Sequence, residues 1–380
     1  AAWVGNAQVI AAPSLGAVVR HYTGQTPLPP ATPGEVSQSP SQHDLRDVKG
    51  QERAKRALEI AAAGRHHLMF VGTPGSGKSM LAARLPSILP PLTPQEALST
   101  SMIHSLAGLL DDGGISRLRP FREPHHTASM AAIIGGGRLA KPGEGSLAHN
   151  RVLFMDEFPE FPRTVLETLR QPVETGEVVV ARANAHVRYP CRFMLVAAAN
   201  PCRCGHLTDA SRACAKAPAC GEDYLGRISG PLLDRFDLRI EVPPVEIGDL
   251  DLAPSGDTSA SVAARVQKAR DIQTARFDGQ PRTRTNADAE GNLLTEIATP
   301  EGEARDLLLK AADRFGLSTE MLGEERFGHG DGGFGFRRLG IFRRERDISS
   351  ATEHEQRGRG RHGAGSETPD QVAFSAKLER

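Results

Sequence analysis

Short apolar runs recur through the middle of the chain, separated by stretches in which apolar residues follow helical spacing. Runs that are apolar at nearly every position are typical of strands buried on both faces of a parallel sheet. The predicted strands are residues 67–71, 152–155 and 193–199. The predicted helices are residues 52–63, 80–85 and 163–171, with Pro86 expected to end the second. Residues 178–182 and 187–189 are predicted to form a hairpin after the turn at residues 175–177. Strands alternating with helices predict an α/β fold.

A glycine-rich segment follows the first predicted strand and leads into the second predicted helix. Residues 72–79 fit the phosphate-binding pattern G-x-x-x-x-G-K-[ST] at every fixed position. Backbone amides in such a loop face phosphate oxygens, and the helix N-terminus adds partial positive charge. A chance glycine turn is the alternative, but both flanks have the character that the motif requires. The sequence therefore predicts a nucleotide site at Gly72, Thr73, Pro74, Gly75, Ser76, Gly77, Lys78 and Ser79.

Particular side chains within and near this loop are predicted to act on the nucleotide. Lys78 is expected to pair with the β- and γ-phosphates, and the Ser79 hydroxyl is expected to hold Mg²⁺. Asp156 and Glu157 follow a buried strand, at the sheet edge where ligands of open parallel sheets bind. Asp156 would hold Mg²⁺ directly or through water, while Glu157 would orient and polarise the attacking water. An apolar strand ending in Asp-Glu means little alone, so this interpretation depends on the upstream loop.

Asn200 and Arg235 are the remaining catalytic candidates. Asn200 ends the third predicted strand and would fix the lytic water beside Glu157; a turn asparagine is the alternative. Arg235 lies in a loop after a predicted helix, from which an arginine can reach the phosphates of a neighbouring subunit. A plain salt bridge is the alternative for Arg235.

Histidine and cysteine pairs raise the question of metal binding. His125 and His126 are adjacent, so their side chains point apart on a helix or a strand, which favours surface or hydrogen-bonding roles over a metal site. Four cysteines have the spacing C-x-C and then C-x5-C, and four thiolates suit a tetrahedral structural Zn²⁺. The spacing is less regular than that of a zinc ribbon, so free thiols in a loop remain the alternative. These residues are Cys202, Cys204, Cys214 and Cys220.

Composition limits the partners and the location that we expect. Lys plus Arg and Asp plus Glu both number 46, so any nucleic-acid binding must come from local patches rather than from a global field. No apolar run approaches the roughly 18 residues of a membrane span, and no signal segment is apparent. Five cysteines in 380 residues fit a reducing compartment, and we expect a cytoplasmic protein. The chain starts at Ala1 without methionine, which suggests a fragment or a processed product.

Several motifs together resemble one family, the magnesium-chelatase-like AAA+ ATPases of the ComM/YifB type, over about residues 1–318. The motifs that carry the resemblance are residues 72–79, 119–122, 124–127, 142–144, 146–149, 152–157, 169–172, 200–202 and 229–237. The resemblance implies an AAA+ P-loop NTPase, a parallel sheet flanked by helices, that forms a hexameric ring with ATP and Mg²⁺ bound between subunits. It implies Walker A at residues 72–79, Walker B at Asp156 and Glu157, sensor one at Asn200 and the arginine finger at Arg235.

The resemblance also implies a domain organisation. Residues 1–30 are similar to the end of a Lon-protease-like α+β domain, and residues 31–43 form a linker. Residues 44–245 correspond to the AAA+ core and residues 246–318 to a partial helical lid.

Two departures from the family pattern are visible. The family's cysteine motif often ends in C-x-C, whereas Cys214 is followed by Lys216 with Cys220 further on, which weakens the zinc interpretation. Residues 319–380 match none of the family's lid and are rich in Gly and Arg with little apolar periodicity, which predicts disorder. A frameshift or gene decay near residue 319 would explain this change and would weaken hydrolysis and coupling.

The family implies a motor that acts on DNA, with helicase or branch-migration activity in natural transformation and recombination. The first alternative is a magnesium-chelatase-type ATPase subunit that drives metal insertion through partner subunits. The second is a hydrolysis-deficient remodelling protein. A sequence-specific DNA reader is disfavoured, because aromatic residues make up 5% of the chain and no recognition-helix motif stands out.

Overall fold

The structure, a computed structural model, describes most of the chain up to residue 310. The described residues are 9–31, 43–109, 119, 121–137, 140–182, 185–207, 211–245, 248, 256–280, 283–298, 302–303, 305–307 and 310. Most of the linker at residues 31–43 and the tail at residues 319–380, which is predicted to be disordered, lie outside them.

The strands of the described residues form one central sheet and two hairpin-like pairs. The strands are β1 Leu68–Val71, β2 Phe121–Arg122, β3 Gly135–Gly136, β4 Lys141–Pro142, β5 Val152–Met155, β6 Glu177–Arg182, β7 Ala185–Pro190, β8 Met194–Ala199 and β9 Leu238–Glu241. The central sheet has five of them in the order β2-β5-β8-β1-β9, all paired in parallel. The predicted α/β class and parallel sheet are confirmed, as is the predicted hairpin, since β6 pairs antiparallel with β7.

The core explains why the central strands are continuously apolar. Alternate residues of β5 point to opposite faces: Leu153 and Met155 pack in one hydrophobic cluster, and Val152 and Phe154 in another. Both clusters are buried. A parallel sheet covered on both faces needs apolar side chains at every position, not at every second one.

Helices cover both faces of the sheet. They are Leu15–Tyr22, Glu52–Gly64, Lys78–Ile88, Pro94–Ala107, Met130–Ile134, Glu144–Leu147, Arg163–Thr168, Arg170–Thr175, Ala219–Leu225, Gly230–Leu233, Ser259–Arg276 and Gly291–Ala298, with short 3₁₀ turns at Leu45–Asp47, Phe158–Glu160 and Asn286–Asp288. In the described part of the chain, no helix is both long and apolar enough to cross a membrane.

Two helix predictions were wrong in detail. The helix that begins at Lys78 runs through Pro86 to Ile88. Proline removes one hydrogen bond to the preceding turn, but Leu85 and Ile88 are fully buried on either side of it, so packing holds the last turn. The predicted helix at residues 163–171 is instead two helices that meet at Leu169, which is also fully buried.

The helix Ser259–Arg276 lies against the helices Glu52–Gly64 and Lys78–Ile88. Val262 and Val266 enter the same hydrophobic cluster as Leu58. At the edge of this contact, Arg265 donates to Glu59 Oε1 at 2.6 Å and to Oε2 at 3.2 Å. The helix Lys78–Ile88, which follows the phosphate-binding loop, therefore packs between the sheet and the helix Ser259–Arg276.

Candidate nucleotide site

Three parallel strands end side by side at the candidate site. In the register of the sheet, Val71 of β1 lies opposite Ala199 of β8, and Met155 of β5 lies opposite Ala197. The residues that follow these strands, Gly72, Asp156 and Asn200, therefore meet at one edge of the sheet. This is the edge at which open α/β sheets bind ligands.

Glycines give the phosphate-binding loop its shape. Gly75 has φ +77° and Gly77 has φ +89°, a left-handed conformation that other residues adopt at a cost. A Cβ on Gly72 would lie 2.2 Å from the Val242 carbonyl oxygen, so only glycine fits between β1 and the end of β9. The loop is thus set by backbone geometry and close packing.

The ammonium group of Lys78 lies within the loop. Nζ donates to the carbonyl oxygens of Gly72 at 2.8 Å and Thr73 at 2.9 Å, and to Asn200 Oδ1 at 3.1 Å. Burial lowers the pKa of Lys78, and the negative charges of Asp156 and Glu157 oppose that shift. Lys78 and Asn200, 122 positions apart in the chain, are therefore in direct contact.

Ser79 and Asp156 form a second contact between the loop and β5. Ser79 Oγ donates to Asp156 Oδ2 at 2.6 Å, and Asp156 Oδ1 accepts from the Glu157 amide at 2.8 Å. A hydroxyl and a carboxylate are oxygen ligands of the kind that Mg²⁺ prefers when it also binds phosphates. The two side chains are therefore of the chemical kinds that would hold a magnesium ion.

One buried polar atom indicates what the loop accommodates. Ser76 Oγ is buried and, among the described residues, has no hydrogen-bond partner. Buried polar atoms are nearly always paired, so an orphan calls for a partner that is absent. The first amides of the helix Lys78–Ile88 also lack intrahelical acceptors. The Ser76 hydroxyl and these amides are donors that fit an anion with several oxygen atoms, such as a nucleoside triphosphate.

Glu157 is held by a histidine that the sequence did not connect with it. Glu157 has a backbone φ of +49°, a left-handed conformation that is uncommon for residues other than glycine. Strained backbone conformations of this kind are often found at functional sites. Glu157 Oε2 lies 3.0 Å from His126 Nδ1. His126 follows β2, the neighbour of β5, and its ring packs edge-on against Phe161. The hydrogen-bonding role that we favoured over a metal for this histidine fits the contact.

Two other residues near the site carry no readable signal in the sequence. Gln51 adopts φ +59°, and its amide donates to the carbonyl oxygens of Ser76 and Pro243, so it links the phosphate-binding loop to the end of β9. Burial, followed by the negative charge of Asp156, raises the pKa of Glu123. Both positions depend on tertiary packing, which a single sequence does not display.

Arg235 does not join the cluster within one chain. It follows the helix Gly230–Leu233, and its Nη2 donates to Glu174 Oε1 at 2.6 Å. The next residue, Phe236, is buried edge-on against Phe158, which lies just after β5. In the described part of the chain, Arg235 therefore forms an ion pair with Glu174 and not with Asp156 or Glu157.

A family profile described as "Magnesium chelatase, subunit ChlI" matches residues 44–250. The chain belongs to this family. A second profile, "Magnesium chelatase, subunit ChlI C-terminal", matches residues 256–322, a range that includes the helix Ser259–Arg276. The range matched by the first profile contains every residue of the candidate nucleotide site.

Similar proteins within the magnesium chelatase family are of two kinds. The chain is 48% identical over 326 residues, or 84% of its length, to "Competence protein ComM" of Haemophilus influenzae, and it covers 62% of that protein. It is 47% identical over 264 residues, 69% of its length, to "Uncharacterized protein YifB" of Escherichia coli and covers 52% of it. It is 27% identical over 284 residues, 70% of its length, to "Magnesium-chelatase 38 kDa subunit" of Rhodobacter capsulatus and covers 68% of it. The resemblance to the ComM/YifB type is confirmed, and the chain spans about half to three-fifths of the length of these two relatives.

The cysteine cluster lies in the loop that follows Asn200. The sulfur atoms of Cys202, Cys204 and Cys220 all lie within 4.8 Å of one another, and those of Cys202 and Cys204 are 3.0 Å apart. Cys214, the fourth cysteine of this loop, is not a member of that set of three. The hydrogen bond from Cys202 lowers the pKa of the Cys204 thiol to about 7. Cys191, the fifth cysteine, is buried in the core beneath the hairpin.

Proposed function

We propose that this chain is an ATP hydrolase of the AAA+ class that works as a ring-shaped motor on DNA. The observation that carries the ATPase part is the meeting of Lys78, Ser79, Asp156, Glu157 and Asn200 at one sheet edge. These residues come from three different strand ends, and their contacts combine an anion site, a metal site and a carboxylate base.

Each side chain has a proposed part in hydrolysis. Lys78 exchanges its loop carbonyls for phosphate oxygens, which are stronger acceptors because they are charged. Ser79 and Asp156 would hold Mg²⁺, which would supply positive charge beside the phosphates. Glu157 accepts a proton from the attacking water, and Asn200 positions that water. The contact with His126 at 3.0 Å engages Oε2 of Glu157, so it competes with the water for one of the two carboxylate oxygens.

Ring assembly completes the proposed site. Arg235 would contact the phosphates of a neighbouring subunit as an arginine finger, and within one chain it is paired with Glu174. That pair is partly exposed, so its net contribution to stability is small and it opens readily. We propose a homo-hexamer on the basis of the family.

DNA is the proposed substrate of the motor because of the stronger similarity. Identity to the competence protein is 48%, against 27% to the magnesium chelatase subunit. Competence is the state in which bacteria take up DNA, so helicase or branch-migration activity in the cytoplasm, during natural transformation and recombination, fits this relative. Backbone tracking through a ring needs only a few Lys or Arg residues in each subunit, which a neutral net charge permits. A chelatase-type subunit or a hydrolysis-deficient remodelling protein is the alternative.

A structural Zn²⁺ on Cys202, Cys204, Cys214 and Cys220 is a further part of the proposal. The three sulfur atoms that lie within 4.8 Å of one another support it.

The test is steady-state ATP hydrolysis by the 380-residue chain, alone and with single-stranded or branched DNA. Glu157→Gln protein is the blank. Turnover that rises with DNA and disappears in the variant supports the DNA motor. Turnover that rises only with the partner subunits of a magnesium chelatase contradicts the DNA assignment. ATP binding without turnover under any condition identifies the hydrolysis-deficient alternative.

A further inference from the structure

The loop after β8 touches the phosphate-binding loop at two points. At its start, Asn200 Oδ1 accepts a hydrogen bond from Lys78 Nζ at 3.1 Å. Five residues later, Gly205 has φ +82°, and a Cβ there would lie 2.5 Å from both Cδ and Cγ of Pro74. Real side chains do not approach so closely, so the backbone of Gly205 lies directly against the Pro74 ring. Residues 200–205 therefore contact the phosphate-binding loop at both Lys78 and Pro74.

Cys202 and Cys204 lie between these two contacts. The Gly205 amide donates to the Cys202 carbonyl oxygen at 3.0 Å, which closes a tight turn around the pair. Cys202 is buried and Cys204 is exposed. The turn therefore faces the core on one side and solvent on the other.

A helix closes the cluster from the opposite side. Cys220 lies in the first turn of the helix Ala219–Leu225. A Cβ on the next residue, Gly221, would lie 2.5 Å from Leu207 Cδ2 and 3.2 Å from the Pro201 carbonyl oxygen. This close packing brings the start of the helix onto the cysteine turn, so the cluster joins segments that are distant in the chain.

Hydrogen bonds between thiols are too weak to hold such a turn, since S–H is a poor donor and sulfur a poor acceptor. Four thiolates around Zn²⁺, each about 2.3 Å from the metal in a tetrahedron, hold their sulfur atoms roughly 3.8 Å apart. The sulfur atoms of Cys202, Cys204 and Cys220 lie within 4.8 Å of one another, which is close enough for all three to bind one ion. A bound metal ion would replace weak contacts with strong ones.

We propose that Zn²⁺ bound by Cys202, Cys204, Cys214 and Cys220 fixes Gly205 against Pro74 and thereby sets the affinity of the phosphate-binding loop for ATP. This inference rests on the nucleotide site proposed above. It makes the four cysteines part of the ATP-binding apparatus, although none of them touches the nucleotide. Loss of the metal would free the turn, and the loop would bind phosphate less tightly because it must first be ordered.

The experiment follows two quantities in the same samples of the intact chain: zinc content by mass spectrometry, and the dissociation constant of a fluorescent ATP analogue with Mg²⁺. We expect one zinc per chain. Removal of zinc with the zinc-selective chelator TPEN should weaken ATP binding by at least about fivefold, and added zinc should restore it. Circular dichroism before and after the chelator checks that the fold persists.

Three variants separate the metal from the contact that it supports. Cys220→Ser should lose zinc and weaken ATP binding. Gly205→Ala should keep zinc but weaken ATP binding, because the new methyl group displaces Pro74. Cys191→Ala removes a thiol outside the cluster and should change neither quantity.

Each contrary result has a distinct meaning. A chain that neither contains nor takes up zinc overturns the metal site. Equal ATP affinity with and without zinc overturns the coupling, even if zinc is bound. If Cys220→Ser does not fold, the chelator series on the wild-type chain still decides the matter. Zinc-loaded protein that binds no ATP at all contradicts the proposed nucleotide site instead.

Discussion

The phosphate-binding loop and the cysteine loop leave adjacent parallel strands, β1 and β8, yet they are stabilised in different ways. Residues 72–79 are shaped by their own backbone, with glycines at φ +77° and +89° and a lysine bonded to loop carbonyls. The cysteine loop has no regular element between Asn200 and the helix Ala219–Leu225 in its described residues, and side-chain sulfur atoms gather it. A loop built by backbone geometry takes most of its shape from its own residues, whereas a loop gathered by thiols depends on what those thiols bind. The following predictions test this difference.

The largest expected effect is that of Glu157→Gln, which leaves both loops unchanged and removes the proposed base. ATP hydrolysis should fall by about 100- to 10,000-fold, the usual contribution of a general base. ATP affinity and zinc content should stay at wild-type values. Single-turnover experiments measure the rate of ATP hydrolysis, and titration with ATP measures the affinity. Loss of ATP binding in this variant would show that Glu157 supports the loop rather than the chemistry.

Lys78→Ala removes the charged centre of the phosphate-binding loop. We expect ATP to bind on the order of 100-fold more weakly, since a hydrogen bond to a charged group contributes about 1.5–3 kcal/mol and the cation makes more than one. Isothermal titration with ATP and Mg²⁺ measures the change. Zinc content should be unaffected, because the cysteine turn does not need the ammonium group. A simultaneous loss of zinc would show that the cysteine turn depends on the Lys78 ammonium group for its shape.

Gly75→Ala tests whether the phosphate-binding loop depends on its left-handed backbone. A residue with Cβ pays roughly 1–2 kcal/mol in this conformation, so ATP binding should weaken by about 5- to 30-fold. Gly75 has open space around its Cα, so the effect is conformational and not a clash. Gly16→Ala is the matched control, because Gly16 lies in a helix with ordinary dihedral angles and should have no effect. Equal affinity of both variants for ATP would show that the loop does not depend on the left-handed conformation of Gly75.

The smallest expected effect concerns His126. His126→Ala frees the Glu157 carboxylate from a partly exposed partner, and pairs of this kind contribute about 0.2–1 kcal/mol. Basal ATP turnover should therefore rise by up to about fivefold, with the affinity for ATP unchanged. His126→Gln keeps a donor for Glu157 and should remain near the wild-type rate. A rise in both variants, or a change in ATP affinity, would assign the histidine a structural role.

The same difference explains what the sequence could predict. The phosphate-binding loop and its flanking strands follow local rules, so the α/β fold and the residues that meet at the sheet edge could be predicted from spacing alone. The roles of these residues stay predictions. The continuation of a helix through Pro86 was missed because buried leucine and isoleucine side chains outweigh a local helix breaker. The contacts of His126 with Glu157 and of Gly205 with Pro74 join segments distant in sequence, and no local pattern encodes them.

Arg235 shows the remaining limit. Its position after a short helix could be predicted, but its partner within the chain, Glu174, could not. The role proposed for it needs a second subunit, so neither the sequence nor the fold of one chain defines its final contact.

The position of Lys78 has a consequence for which ligands the protein admits. Its ammonium group already has three oxygen acceptors, two of them from the loop itself, so an incoming molecule competes with the protein for the same cation. An uncharged nucleoside has nothing to offer at that point, whereas a triphosphate brings several charged oxygens. We therefore expect the phosphate-binding loop to discriminate between ligands by their negative charge.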